Sequence, residues 1–139
     1  MFQTELKVGE EYILQKQISE KDIEITIGTG ELHALVSTPV LVALMIEAAV
    51  RLVDPKLQPG FITAGQSVNV KHNAPSTLGQ ILTLKAKILK IENFHVFLEI
   101  EAFDEIGQIG SGTHERIIVS KDNMLKRAAE RSEGLIHIR

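Results

Sequence analysis

The chain has 139 residues, 44% hydrophobic and 24% charged, which is the composition of one soluble globular domain with a core of its own. A formal net charge of −3 with no basic cluster argues against a nucleic-acid backbone binder. The absence of cysteine excludes disulfides, thiolate metal sites, iron–sulfur clusters and cysteine nucleophiles, and a reducing, cytoplasmic setting is expected.

The opening stretch, MFQTELKVGEEY, carries acids and no apolar h-region, so no signal peptide is expected there. The longest apolar run, Pro39 to Ile46, falls well short of the ~20 residues of a membrane span. The first strand candidates are Glu11 to Ile18 and Ile23 to Ile27, the second alternating Ile23, Ile25, Ile27 with Glu24 and Thr26 and ending at Gly28 and Gly30. The clearest helix follows: Ser37 or Thr38 can cap it, Pro39 suits its first turn, and Val40 to Val53 runs without Gly or Pro. Its apolar residues run nearly all round between Pro39 and Val50, which predicts cover on most sides.

Beyond a turn from Asp54-Pro55 to Pro59-Gly60 the period becomes two. Ser67 to His72, Ile81 to Ile91, Phe94 to Phe103 and Ile109 to Val119 read as strands, joined at Ala74-Pro75, Glu92-Asn93 and Glu105-Ile106-Gly107 into an antiparallel meander. A charged surface helix is predicted from Lys121 to Ser132, with Gly134 as its stop. A long apolar helix and a run of antiparallel strands satisfy each other only if the sheet curls around the helix. The predicted class is therefore α+β, a hotdog fold in a single domain over residues 1–139. Its sheet has open edges and one covered face, so a homodimer or a dimer of dimers is expected.

Glu47 is the only ionisable side chain between Ala34 and Val50. An acid on a mostly covered helix either has its pKa raised by desolvation, which suits proton transfer, or finds a partner, and Arg51 stands at i+4. His72 closes an alternation in which Val68, Val70 and His72 face the apolar side, while Asn69, Lys71 and Asn73 face the other. There an imidazole serves either as acid or base near neutral pH or as a hydrogen-bonded core residue. Thr38 is placed to cap a backbone N–H and, beside the positive end of the helix dipole, to favour negative charge on a carbonyl oxygen.

In IGSGTHER, Gly110, Gly112, His114 and Arg116 share one face, and Ser111, Thr113 and Glu115 the other. The two glycines leave their face bare, either for a ligand or for tight packing against the helix. His114 and Arg116 either hold a phosphate or carboxylate or are satisfied by nearby acids. The five histidines, His33, His72, His95, His114 and His137, show no metal-ligand spacing, and no glycine-rich phosphate loop occurs. No metal, nucleotide hydrolysis or dinucleotide redox chemistry is expected.

IGSGTHER, taken with STPVLVALMIEAAVRLV (Ser37 to Val53) and AGQSVNVKHNAPS (Ala64 to Ser76), resembles the hotdog-fold acyl-CoA thioesterases related to fluoroacetyl-CoA thioesterase, over a stretch from about Lys7 to Val119. The shared pattern is a Thr ahead of the apolar helix, a Glu within it, a Gly and a His seven apart in the next strand, and GxGxHxR in the last. The resemblance implies thioester hydrolysis, with Thr38 and His72 in the places of the catalytic threonine and histidine. It also implies that Gly65 is the glycine that helps place the attacked group.

The family's glutamate directly follows an LM pair, and that place holds Ile46 here, with Glu47 next. One step along a helix turns a side chain by about 100°, so Glu47 reaches the site by a local shift or the chain lacks the family's acid. The implied catalytic set is Thr38, Glu47 and His72, with Gly65, Ile46, Gly112, His114 and Arg116 as substrate-binding candidates. In that reading Glu47 is general base or nucleophile toward the thioester carbonyl, Thr38 and the helix N-terminus steady the oxyanion, and His72 donates a proton to the leaving thiolate.

The fluoroacetyl-specific enzyme guards its pocket with phenylalanines, whereas no Phe, Tyr or Trp occurs from Ile13 to Gly60, so strict fluoroacetyl selectivity is not expected. The expected substrate is a short-chain acyl-CoA, with no cofactor beyond the coenzyme A it carries and no nucleic-acid or membrane partner. A hotdog hydratase needs a differently placed Asp/His or Glu/His pair, and no Asp lies in the helix. The alternative is a non-catalytic acyl-CoA binding or sensing module, favoured by Ile46.

Overall fold

The computed structural model describes residues 5–23 and 29–138. Alternation of apolar and polar residues builds five strands: β1 (Glu11–Gln17), β2 (Phe61–His72), β3 (Ile81–Glu92), β4 (His95–Phe103) and β5 (Gln108–Ser120). They form one antiparallel sheet in the order β1-β3-β4-β5-β2, which leaves β1 and β2 at the edges. Helix α1 (Thr38–Val53) lies against the sheet, and α2 (Lys121–Ile138) follows β5 without a break. The α+β class is the one the helix and strand series predict, but the meander holds only for β3, β4 and β5. β2 pairs with β5 at the far edge and not with β3 across the Ala74-Pro75 turn, because the chain crosses from that edge to the other side of the sheet between them.

Helix α1 starts where the sequence punctuates it. Ser37 takes an extended conformation and its hydroxyl accepts the N–H of Val40 at 3.4 Å, so the cap is Ser37 and not Thr38. Pro39 sits in the first turn, where its missing N–H costs nothing. The helix buries Val40, Leu41, Met45, Ala48, Ala49, Leu52 and Val53. Against them stand the inward residues of the two central strands: Leu82, Leu84, Ala86 and Ile88 on β3, and Val96, Leu98, Ile100 and Ala102 on β4. Each large side chain in such a core contributes about 1.5–3 kcal/mol.

Cover on most sides of α1 is not what is found. Pro39, Ala43, Glu47 and Arg51 form an exposed stripe at i, i+4 spacing, flanked by half-buried Val42, Ile46 and Val50. The sheet wraps one side of the helix and leaves this stripe open.

Three boundaries differ from the sequence reading. β2 begins at Phe61 rather than Ser67, because its pairing with β5 shifts register between Gly65 and Ser67 and that bulge interrupts the alternation. Of the expected strand Ile23 to Ile27, Ile23 closes a 3-10 turn, Glu20–Ile23, and the rest lies outside the described residues. Asp22 pulls that turn in by accepting both the N–H and the hydroxyl of Ser19. Finally, α2 runs through Gly134 to Ile138. A glycine stops a helix by adopting positive φ, and Gly134 does not.

Candidate active site

The functional geometry gathers where the first turn of α1 meets the end of β2. Thr38 Oγ1 lies 2.9 Å from His72 Nδ1. Because Ser37 serves as the cap, the Thr38 hydroxyl is free for this bond. His72 Nε2 is buried and has no hydrogen-bond partner among the described residues. Leaving such an atom unmatched costs about 1–3 kcal/mol, so it is open to a polar group from outside the described residues. When Thr38 donates to Nδ1, the imidazole carries its proton on Nε2; when Thr38 accepts, Nε2 presents its lone pair.

A glycine on the neighbouring strand leaves room beside His72. His72 pairs with Gly110, and Val70 with Gly112. A Cβ on Gly110 would lie 2.8 Å from the Lys71 carbonyl oxygen and 3.2 Å from Leu41 Cδ2. The Leu41 side chain, in the first turn of α1, therefore reaches β5 at a point where no other side chain fits. A Cβ on Gly112 would meet the Asn69 carbonyl oxygen at 2.6 Å and Val70 Cγ2 at 2.8 Å. Of the two uses open to a bare glycine face, close packing is the one these distances describe, with β2 as the main neighbour.

The same register puts Val68 opposite His114, so Val68, Val70 and His72 share the face of the inward β5 residues, as alternation predicts. Gly65 lies on the bulge of β2. At about 3.3 Å per residue, it is roughly 20 Å from His72 along the same strand.

Glu47 is not brought to this pair. At about 100° per residue it lies roughly 180° around α1 from Thr38, and Ile46 roughly 80°. Arg51 Nε donates to Glu47 Oε1 at 2.9 Å, with the Arg51 and Glu47 side chains 50% and 47% exposed. The guanidinium is held protonated above its ordinary range, first by its hydrogen bond with Tyr12 and then by that with Glu47. Of the two fates open to Glu47, the chain adopts the i, i+4 pair.

His114 and Arg116 are almost wholly covered, at 4% and 6% exposure. Arg116 Nε donates to Thr63 Oγ1 at 2.7 Å and Nη2 to the Thr63 carbonyl at 2.9 Å, while Nη1 lies 3.1 Å from His114 Nε2. The other nitrogen, His114 Nδ1, is 2.7 Å from the Ser67 carbonyl oxygen. A carbonyl only accepts, so Nδ1 carries the proton and Nε2 accepts from Arg116. Burial, and secondarily the Arg116 charge, push the imidazole pKa down against the pull of the Ser67 carbonyl, which keeps His114 neutral. Burial also lowers Arg116, opposed by the charge of Asp54.

Asp54 reaches this group through Thr63, whose hydroxyl and N–H both donate to its carboxylate. Thr63 and Asp54 were not singled out by sequence reasoning. The one available signal was that Thr63 stands two residues before Gly65, in a segment whose alternation the bulge hides. Among the described residues no group of three His, Asp or Glu side chains is placed to hold a metal ion, and no helix is long and apolar enough to cross a membrane.

Comparison with known proteins matches residues 18–122 to the family model described as fluoroacetyl-CoA-specific thioesterase. The chain is 33% identical over 90 residues to the fluoroacetyl-CoA thioesterase of Streptantibioticus cattleyicolor, spanning 65% of this chain and 65% of the length of that relative. Among solved structures, a hot-dog-like protein from Thermanaerovibrio acidaminovorans superimposes with a TM-score of 0.83 at 31% identity, over 89% of this chain and 91% of that one. A variant of the fluoroacetyl-CoA-specific thioesterase in complex with fluoroacetate and CoA gives a TM-score of 0.80 at 27% identity, over 86% and 99%.

Proposed function

Since the chain belongs to the fluoroacetyl-CoA-specific thioesterase family, we propose that it hydrolyses a short-chain acyl-CoA to the free acid and coenzyme A. The observation that carries this reading is the Thr38–His72 contact with the second imidazole nitrogen buried and unmatched. In the reaction, water adds to the thioester carbonyl, the C–S bond breaks, and the thiolate takes up a proton. In this reading His72 Nε2 takes the proton of the attacking water and returns it to the sulfur. The Thr38 hydroxyl and the positive end of α1 favour the developing oxyanion.

Glu47, turned outward and bonded to Arg51, has no part in these steps, and Ile46 contributes apolar surface in the place of the family's acid. No cofactor enters beyond the coenzyme A of the substrate. A cytoplasmic setting belongs to the same proposal and is supported by the lack of cysteine.

The catalytic unit is a homodimer in this reading. Gly65 and His72 stand too far apart on one β2 to touch one acyl group, and β2 is an edge strand of 12 residues with Val68 43% exposed. An antiparallel second copy, with its two-fold axis near Val68 and Asn69, sets Gly65 of the partner subunit beside His72. Val68→Glu would put two like charges near that axis, and sedimentation should then report monomer with thiol release lost.

The direct test is thiol release from a panel of short, branched and aryl acyl-CoAs. Hydrolysis of a short aliphatic thioester that disappears in His72→Ala supports the proposal. Acyl-CoA binding without thiol release would overturn it in favour of a binding module.

A further inference from the structure

The proposed reaction makes no use of one polar assembly, formed by buried Thr63, His114 and Arg116 with half-buried Asp54. Covering a guanidinium is costly unless its donors are matched, and apolar residues would fill the same volume more cheaply. The other inward positions of β5 carry Gly110, Gly112 and Ile118. The core therefore gives no reason for a cation here, and the reason must lie in what the assembly touches.

It touches the bulge of β2 from beneath. Gly65 pairs with Arg116 and Ser67 with Glu115, so the register slips between them. A Cβ on Gly65 would lie 3.5 Å from Arg116 Nη1 and 3.8 Å from His114 Cε1, which places both side chains directly against that residue. Arg116 grips Thr63, two residues before Gly65, by side chain and by carbonyl, and His114 grips the carbonyl of Ser67, two residues after it. The bond between Arg116 and His114 ties the two grips into one bracket. An irregular segment on an edge strand, with no strand of its own chain on the far side, is otherwise prone to slip.

We propose that Arg116 and His114 are positioning residues that lock the Gly65–Ser67 bulge and thereby fix where Gly65 meets the thioester. The proposal rests on the thioesterase reading for its catalytic consequence, but the lock itself does not. Residue chemistry suits this role, because the planar guanidinium serves both acceptors of Thr63 and still reaches the imidazole, which a lysine ammonium does not do with fixed geometry. A neutral imidazole donates on one side and accepts on the other, so it relays the constraint from Arg116 to the backbone.

The test compares wild type, His114→Leu and His114→Gln in the full chain, reading amide hydrogen exchange across residues 64–68 together with kcat and KM for the best acyl-CoA. Removing the relay in His114→Leu should speed exchange selectively in that segment. Displacement of Gly65 should lower kcat by about 10- to 100-fold with KM within about threefold, since small misplacements act on the transition state. In His114→Gln, whose amide both donates and accepts, both readouts should return to within about threefold of wild type.

Unchanged exchange in His114→Leu overturns the lock, and faster exchange with unchanged kcat overturns the positioning role. If His114→Leu fails to fold, Thr63→Val, which removes the Arg116 Nε acceptor, is read in the same way. If the wild type hydrolyses no acyl-CoA, the thioesterase reading falls, while the exchange comparison still decides the lock.

Discussion

Two histidines on neighbouring strands, His72 on β2 and His114 on β5, show how the second nitrogen of an imidazole decides its use. Both place Nδ1 against an oxygen of their own chain, Thr38 Oγ1 in one case and the Ser67 carbonyl in the other. At His114 the remaining nitrogen is matched by Arg116, and the residue is a fixed joint. At His72 it is matched by nothing among the described residues, and the atom stays open to the substrate of the proposed reaction. Burial alone does not separate them, because His114 is the more buried of the two. The surroundings of one atom do.

The sharpest break of this contrast is His72→Ala, which should lower kcat for thioester hydrolysis by about 100- to 1,000-fold, as loss of an acid–base group does, while the midpoint of denaturant unfolding moves little. Next is Gly110→Ala. The added methyl must displace Leu41 or the β2 backbone, and such overpacking costs about 1–3 kcal/mol in urea unfolding. It should also separate Thr38 from His72, so activity falls with stability, in contrast to His72→Ala.

A smaller effect, at His114 alone, appears with pH. The pKa of His114 is depressed in the fold below its ordinary value of 6.5, so above that pH both folded and unfolded chains hold it neutral and its contribution is constant. As pH falls below 6.5 the unfolded chain takes up the proton first, and stability drops until the folded form protonates as well. Stability measured from pH 7.5 down to 5 should show this slope, and His114→Gln should flatten it. The carboxylates held low, Glu10, Glu92 and Asp104, act only at more acid pH.

The smallest effect belongs to Glu47→Ala. An exposed i, i+4 pair contributes little to stability, so the unfolding midpoint should scarcely move and kcat should stay within about threefold. A large loss of kcat would mean that Glu47 reaches the thioester after all.

Much of this was legible in the sequence where local physics dominates. The apolar run from Pro39 with Ser37 ahead of it marks α1, and the alternations from Ile81 to Val119 mark β3, β4 and β5. The first half of β2 was hidden because the bulge after Gly65 breaks the period that reveals a strand. Thr38 and His72 were legible as individuals, but Gly110, which leaves room beside His72, is far along the chain and informative only once the strands are paired.

For Glu47 the sequence offered two fates with equal clarity, and the open stripe on α1 selected the pair with Arg51. Arg116 looked like a ligand residue or half of an ion pair. It is bonded instead to Thr63 and His114, with Asp54 one hydroxyl away, a set that three separate segments assemble.

The chain carries two adjacent hydroxyls at the head of α1, and they answer to different demands. Ser37 caps the start of the helix and Thr38 meets the imidazole. In the proposed reaction folding and chemistry draw on separate residues, so changes that strengthen or weaken the start of this helix can accumulate at Ser37 while the Thr38 hydroxyl stays where it is. A chain with one hydroxyl there would have every adjustment of stability written into its rate.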